Sequence, residues 1–102
     1  MIHVIATLDL ASGTRAAFLE AFDKVVPLVQ AEAGCLGYEP TIDADTDLAM
    51  QSRMAPDRVT IVERWSSLDA LKAHDAAPHM QAHRARVQDF VRGREIRVLV
   101  AG

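Results

Sequence analysis

The chain predicts an α+β fold of the ferredoxin-like, split βαβ kind, a four-stranded antiparallel sheet with its helices on one face. Three observations carry this. Apolar residues alternate along four separate stretches, they recur at three and four residues between them, and the segments run strand, helix, strand, strand, helix pair, strand. At 102 residues, half of them apolar and a quarter charged, a single domain over 1–102 is expected, near the lower end of comfortable core size.

Ile2, Val4, Ala6, Leu8 and Leu10 share one face of the first stretch, with His3, Ile5, Thr7 and Asp9 on the other. Ala11-Ser12-Gly13-Thr14 breaks that strand and offers Ser12 or Thr14 as a helix cap. Phe18, Phe22, Val25 and Val29 then form a helical stripe, widened by Leu19 and Val26. Pro27 inside it predicts a kink or a new turn. Glu32-Ala33-Gly34 ends the helix, with Gly34 suited to a left-handed cap. Leu36, Tyr38, Pro40 and Ile42 mark the second strand, and Pro40, which cannot donate to a ladder, favours an edge or a bulge.

Asp43 to Pro56 reads as a polar connection. Asp43-Ala44-Asp45-Thr46-Asp47 opens like a calcium loop, but Leu48 stands where the turn glycine belongs and Met54 where the bidentate glutamate belongs, so calcium is rejected. Arg58 to Trp65 is the third strand, and Ser66-Ser67-Leu68-Asp69 has capping-box spacing for the next helix. That helix carries Leu68 and Leu71 on its apolar side, with His74 three residues further. Pro78 suits the first turn of a restarted helix, whose stripe is Met80, Val87, Phe90 and Val91. Gly93 stops it, and Ile96, Val98 and Val100 form the last strand, with Leu99 on its other face. Ile5, Val62 and Leu99 then lie on the uncovered sheet face, more apolar surface than a small monomer shows, and a homodimer is expected.

A net charge of −3 argues against nucleic-acid binding, which needs a concentrated basic face. The late cluster of Arg84, Arg86, Arg92, Arg94 and Arg97 reads as the solvated face of a helix and the following strand. The one cysteine, Cys35, excludes an internal disulfide, suits a reducing compartment and reads as a small buried filler. Met1-Ile2-His3-Val4 shows no basic region leading into a signal core, and no apolar run approaches a bilayer span. A soluble, cytoplasmic protein with no membrane partner is expected.

The chemistry concentrates late. The only tryptophan, Trp65, and three of the four histidines, His74, His79 and His83, fall within nineteen residues. Glu63 shares a strand face with Val59, Ile61 and Trp65, where a charge is paired or lies in a pocket. His74 follows inward neighbours and suits a general base. His79 and His83 stand four apart on a helix, but Met80-Gln81-Ala82 between them lacks the glutamate of a zinc-protease helix, and no metal is expected.

Glu32-Ala33-Gly34-Cys35-Leu36-Gly37-Tyr38, Glu63-Arg64-Trp65-Ser66-Ser67, Ala70-Leu71-Lys72-Ala73-His74 and Ala77-Pro78-His79-Met80 form an ordered, spaced set. Together they resemble the antibiotic biosynthesis monooxygenase family, in its small quinol-monooxygenase-like members, over nearly the whole chain. The resemblance implies a dimeric α/β barrel built from two ferredoxin-like sheets. It also implies oxygen insertion from dioxygen into a small aromatic quinol, phenol or anthrone, with no cofactor, neither metal nor flavin. A deprotonated, electron-rich aromatic can itself pass an electron to dioxygen, so the substrate supplies what a cofactor otherwise would. The protein then has to offer an apolar slot, a base and polar groups that hold the anion. By that resemblance Trp65 is a slot wall, His74 or His79 the base, and Glu63 or Arg64 the polar anchor, with Thr7 and His83 also placed against the substrate. The haem-degrading branch is expected to carry asparagine where Thr7 stands and tryptophan where His74 stands, so haem is not expected, although His83 lies one residue from that branch's axial histidine. Two other readings compete: a non-catalytic dimeric ligand-binding or stress-response domain, and an isomerase or aldehyde-processing enzyme using His74 and Glu63 for proton transfer.

Overall fold

Period-two alternation divides the sheet of this protein into two chemically different faces. A computed structural model describes residues 1–102. In chain order the elements are β1 (Ile2–Leu10), α1 (Arg15–Gln30), β2 (Cys35–Thr41), β3 (Arg58–Trp65), α2 (Leu68–Ala76), α3 (Pro78–Val87) and β4 (Val91–Leu99). The strands form one antiparallel sheet in the order β2-β3-β1-β4, the expected ferredoxin-like topology. Register pairs Val4 with Glu63 and Val98, and Ile5 with Val62 and Arg97. Paired residues point the same way, so Val4, Ala6, Leu8, Val59, Ile61, Glu63 and Trp65 meet the helices and are buried. His3, Ile5, Thr7, Thr60, Val62, Arg64 and Leu99 share the face that no helix covers.

The stripe on α1 buries Phe18, Phe22, Val25 and Val29 against the sheet, and the helix runs on through Pro27 to Gln30 instead of starting a new turn there. Thr14 holds the cap position, yet its hydroxyl donates to the Ala11 carbonyl at 2.7 Å and takes no helix N–H. Gly34 has φ +83°, the left-handed conformation expected of it. A Cβ there would stand 2.6 Å from both Ala70 Cβ and Ser66 Oγ. The Ser66 N–H donates to the Gly34 carbonyl at 2.8 Å. The turn after α1 is thereby pinned to the start of α2.

Pro40 lies on β2, an edge strand, where its missing donor is tolerated, and the β2–β3 register shifts between Cys35 and Gly37. The α2 cap is Ser67, whose side chain accepts from Ala70 N at 3.1 Å. The capping box expected from Ser66 to Asp69 does not form, because the cap falls one residue later and an alanine occupies the position three beyond it. Ala77, with φ −63° and ψ 139°, separates α2 from α3, and Pro78 opens α3 as expected. The stripe on α3 ends at Val87. Val91 already belongs to β4, Gly93 lies inside that strand opposite Asp9, and Val100 falls beyond it. β4 is the other edge, and its helix-side Ile96 and Val98 remain 53% and 49% exposed because no helix reaches over them. No helix is long and apolar enough to cross a membrane.

Candidate active site

Between the sheet and the α2–α3 pair lies a cavity of about 980 Å³, at the large end for a small-molecule site. Val4, Ala6, Leu8 and Ile61 form its floor and Phe18 and Phe22 of α1 one wall. Tyr38, Glu63, His74 and His83 supply buried polar groups among these apolar surfaces.

His74 sits in the last turn of α2 and is buried, with its ring against Trp65 at 4.6 Å and the Tyr38 ring edge-on at 5.4 Å. Its Nδ1 lies 2.8 Å from Glu32 Oε2, and the same oxygen lies 2.9 Å from His79 Nε2. The Glu32 backbone is itself fixed: its N–H donates to the Val29 carbonyl at 2.9 Å, and its carbonyl accepts from Cys35 N at 3.1 Å. With Glu32 as a carboxylate, both imidazoles donate to it. His74 then carries its proton on Nδ1, and Nε2 keeps the lone pair that can take a proton from a ligand in the cavity.

Glu63 enters from β3 because even spacing along the strand turns it to the helix side with Ile61 and Trp65. Its Oε1 accepts from the Trp65 indole N–H at 2.9 Å. Burial raises the proton affinity of its carboxyl above the ordinary range and Glu32 adds to this, while the Trp65 bond and His74 pull the other way. Tyr38 stacks on Phe22 at 5.4 Å, and burial first, then Glu63 and Glu32, push its phenol up, so it stays protonated as a donor. His83 is wedged edge-on to Phe22 at 5.3 Å and Phe18 at 6.4 Å, with Nδ1 buried and unpartnered. Burial, then Arg86 and Arg84, lower its pKa to about 4, so its ring is neutral at pH 7.

Of the residues singled out from the sequence, His74, Glu63 and His83 line the cavity. His79 stands behind His74 on Glu32. Trp65 is wholly buried and does not line the cavity; instead of walling the slot it braces Glu63 and His74 from behind. Thr7 and Arg64 lie on the opposite sheet face from this cavity. Each is one residue out of phase with the buried face, so both point away from the cavity, and Arg64 Nη2 donates to the Leu36 carbonyl at 3.2 Å. Glu32 and Tyr38 were not singled out from the sequence as site residues. Tyr38 had a signal, since alternation on β2 puts it on the helix side. Glu32 had none, being 42 residues from His74 and lying in the turn past the end of α1. No group of three or more histidine, cysteine, aspartate or glutamate side chains is arranged to hold a metal ion.

A family model described as antibiotic biosynthesis monooxygenase matches residues 1–86. The chain belongs to the antibiotic biosynthesis monooxygenase family. Among relatives, the Escherichia coli K12 protein named "Probable quinol monooxygenase YgiN" is 40% identical over 104 residues, covering 100% of this chain and 99% of its own. The solved structure of Rv0793 from Mycobacterium tuberculosis matches with a TM-score of 0.79 at 27% identity, over 98% of this chain and 93% of that one. A structure from Caulobacter crescentus CB15 matches with a TM-score of 0.83 at 28% identity, over 99% and 89% of the two chains. Within this antibiotic biosynthesis monooxygenase chain, 16 residues at the C-terminus lie beyond the family match, and they include Arg94 and Ile96 of the cavity lining.

Proposed function

We propose that this protein is a cofactor-independent monooxygenase that oxidises a small aromatic quinol, phenol or anthrone with dioxygen. The observation that carries the reading is His74, held at Nδ1 by Glu32 and lining a mostly apolar cavity. His74 Nε2 takes the phenolic proton, Tyr38 donates to the oxygen that becomes anionic, and Glu63 accepts from a second ring hydroxyl. The anion then gives up electrons to dioxygen, and the surrounding Phe18, Phe22 and Ile61 keep water from competing. For a quinol the balance closes with one oxygen atom replacing a ring hydrogen as hydroxyl, the other leaving as water, and the quinol emerging as a hydroxyquinone. The name of the Escherichia coli relative supports the same class of substrate.

The test is oxygen uptake with a panel of quinols and anthrones in metal-free buffer. His74→Ala is expected to lower kcat by at least about a hundredfold, the usual scale for a lost general base. Glu32→Gln is expected to lower kcat by about tenfold and to change its pH profile, since an amide oxygen binds the imidazole more weakly than a carboxylate. Rates unchanged in His74→Ala would remove it from the mechanism. A homodimer is part of this reading, supported by Ile5, Val62 and Leu99 on the uncovered face. So is a cytoplasmic setting, supported by the single unpaired Cys35.

A further inference from the structure

Three cations from three different elements stand around the cavity: Lys72 of α2, Arg84 of α3 and Arg94 of β4. All lie toward solvent, whereas Glu63, His74 and Tyr38 of the same lining are buried. Arg84 is engaged, its Nη2 2.6 Å from Asp75 Oδ1 and its Nη1 2.9 Å from the Asp75 carbonyl. Asp75 is the one acid of the rim, so that pair cancels. Lys72 and Arg94 form no salt bridge and no side-chain hydrogen bond. The rim is therefore cationic on a chain whose net charge is −3. Unpaired cations of one sign at the mouth of a low-dielectric cleft focus the field on an entering anion.

The lining thus changes character from its buried part, which holds the hydroxyl-binding groups among apolar side chains, to its exposed part, which holds the free positive charge. We propose that the rim is a docking site for the acidic substituent of the substrate, whose class is a hydroxylated aromatic carboxylate bound with its hydroxyl inward. This rests on the monooxygenase reading for the chemistry but on the charge of the rim for the recognition, and binding tests the two apart.

The experiment is calorimetric titration of the 102-residue chain with 6-hydroxy-2-naphthoate, whose hydroxyl and carboxylate lie at opposite ends of the ring pair, and with its neutral carboxamide at low salt. The carboxylate is expected to bind about tenfold more tightly, a size set by two exposed ion pairs. In the Lys72→Gln, Arg94→Gln double variant that ratio is expected to fall to near one. In the unmodified protein, where folding is not in question, 0.5 M NaCl is expected to weaken the carboxylate and spare the amide. Equal affinities at low salt, or a preference that survives both salt and the double variant, would overturn the proposal. Oxygen uptake is read separately: a carboxylate preference without turnover of any quinol leaves the rim standing and removes the oxidation, and turnover without a charge preference does the reverse.

Discussion

His83 is held neutral in a place where protonation is costly, and that has a pH signature. The unfolded imidazole takes a proton below its ordinary 6.5, whereas the folded one resists until about 4. Between those values the unfolded state holds more protons, so stability present above the upper limit is lost as pH falls. Unfolding free energies from urea titrations between pH 7 and 4 are expected to decline, by up to about 3 kcal/mol in all, and to decline less in His83→Phe. Glu63 runs the opposite way. Its folded carboxyl binds its proton more tightly than the unfolded one, so its contribution to stability falls as pH rises above its ordinary 4.5. Thermal melts of Glu63→Gln are expected to exceed those of the unmodified protein by a margin that widens with pH over that range and then levels. Trp65→Phe, which strips Glu63 Oε1 of its donor, is expected to cost about 2 kcal/mol at pH 7. Adding Glu63→Gln to it should recover part of that loss, since the two residues share one bond.

Among the elements, the junctions matter more to the site than the elements do. Glu32 follows α1, His74 ends α2, and the two meet only because Gly34 lets the α1–β2 turn sit against Ser66 and Ala70. Gly34→Ala meets both obstacles at once, a left-handed φ and a Cβ at 2.6 Å from two side-chain atoms. The strain alone is worth about 1–2 kcal/mol, so a loss of at least about 2 kcal/mol in denaturant unfolding is expected. Activity should fall beyond what stability explains, because the displaced turn carries Glu32 away from His74. An unchanged kcat in the folded fraction of that variant would show that the dyad tolerates the shift.

For the molecule as a whole, the sheet has one face committed to the helices and one uncommitted. Val62 is 38% exposed there, beside Ile5 and between charged and polar neighbours. Val62→Glu sets a charge in the middle of any surface shared with a second copy. Sedimentation equilibrium is expected to give a dimer for the unmodified chain and a monomer for the variant. A monomer in both would remove the dimer from the proposed function without touching the cavity, which each chain lines with its own residues.

Much of this was legible in advance. Alternation in four stretches and the stripe Phe18, Phe22, Val25, Val29 determined the order of elements, because period-two and near-four spacings are local consequences of backbone geometry. The same alternation put Glu63 on the buried face and, followed strictly, puts Thr7 and Arg64 off it. α3 ends at Val87, short of the expected Val91; Phe90 and Val91 continue an apolar pattern that a helix and a strand use equally well over so few residues. What only the tertiary structure decided was which groups share the cavity. Glu32 reaches His74 across 42 residues, and Lys72, Arg84 and Arg94 converge from three elements, whereas in the sequence the late arginines looked like a solvated face. Secondary structure depends on near neighbours and so is written locally; a site depends on packing between distant segments, and no spacing along the chain encodes that distance.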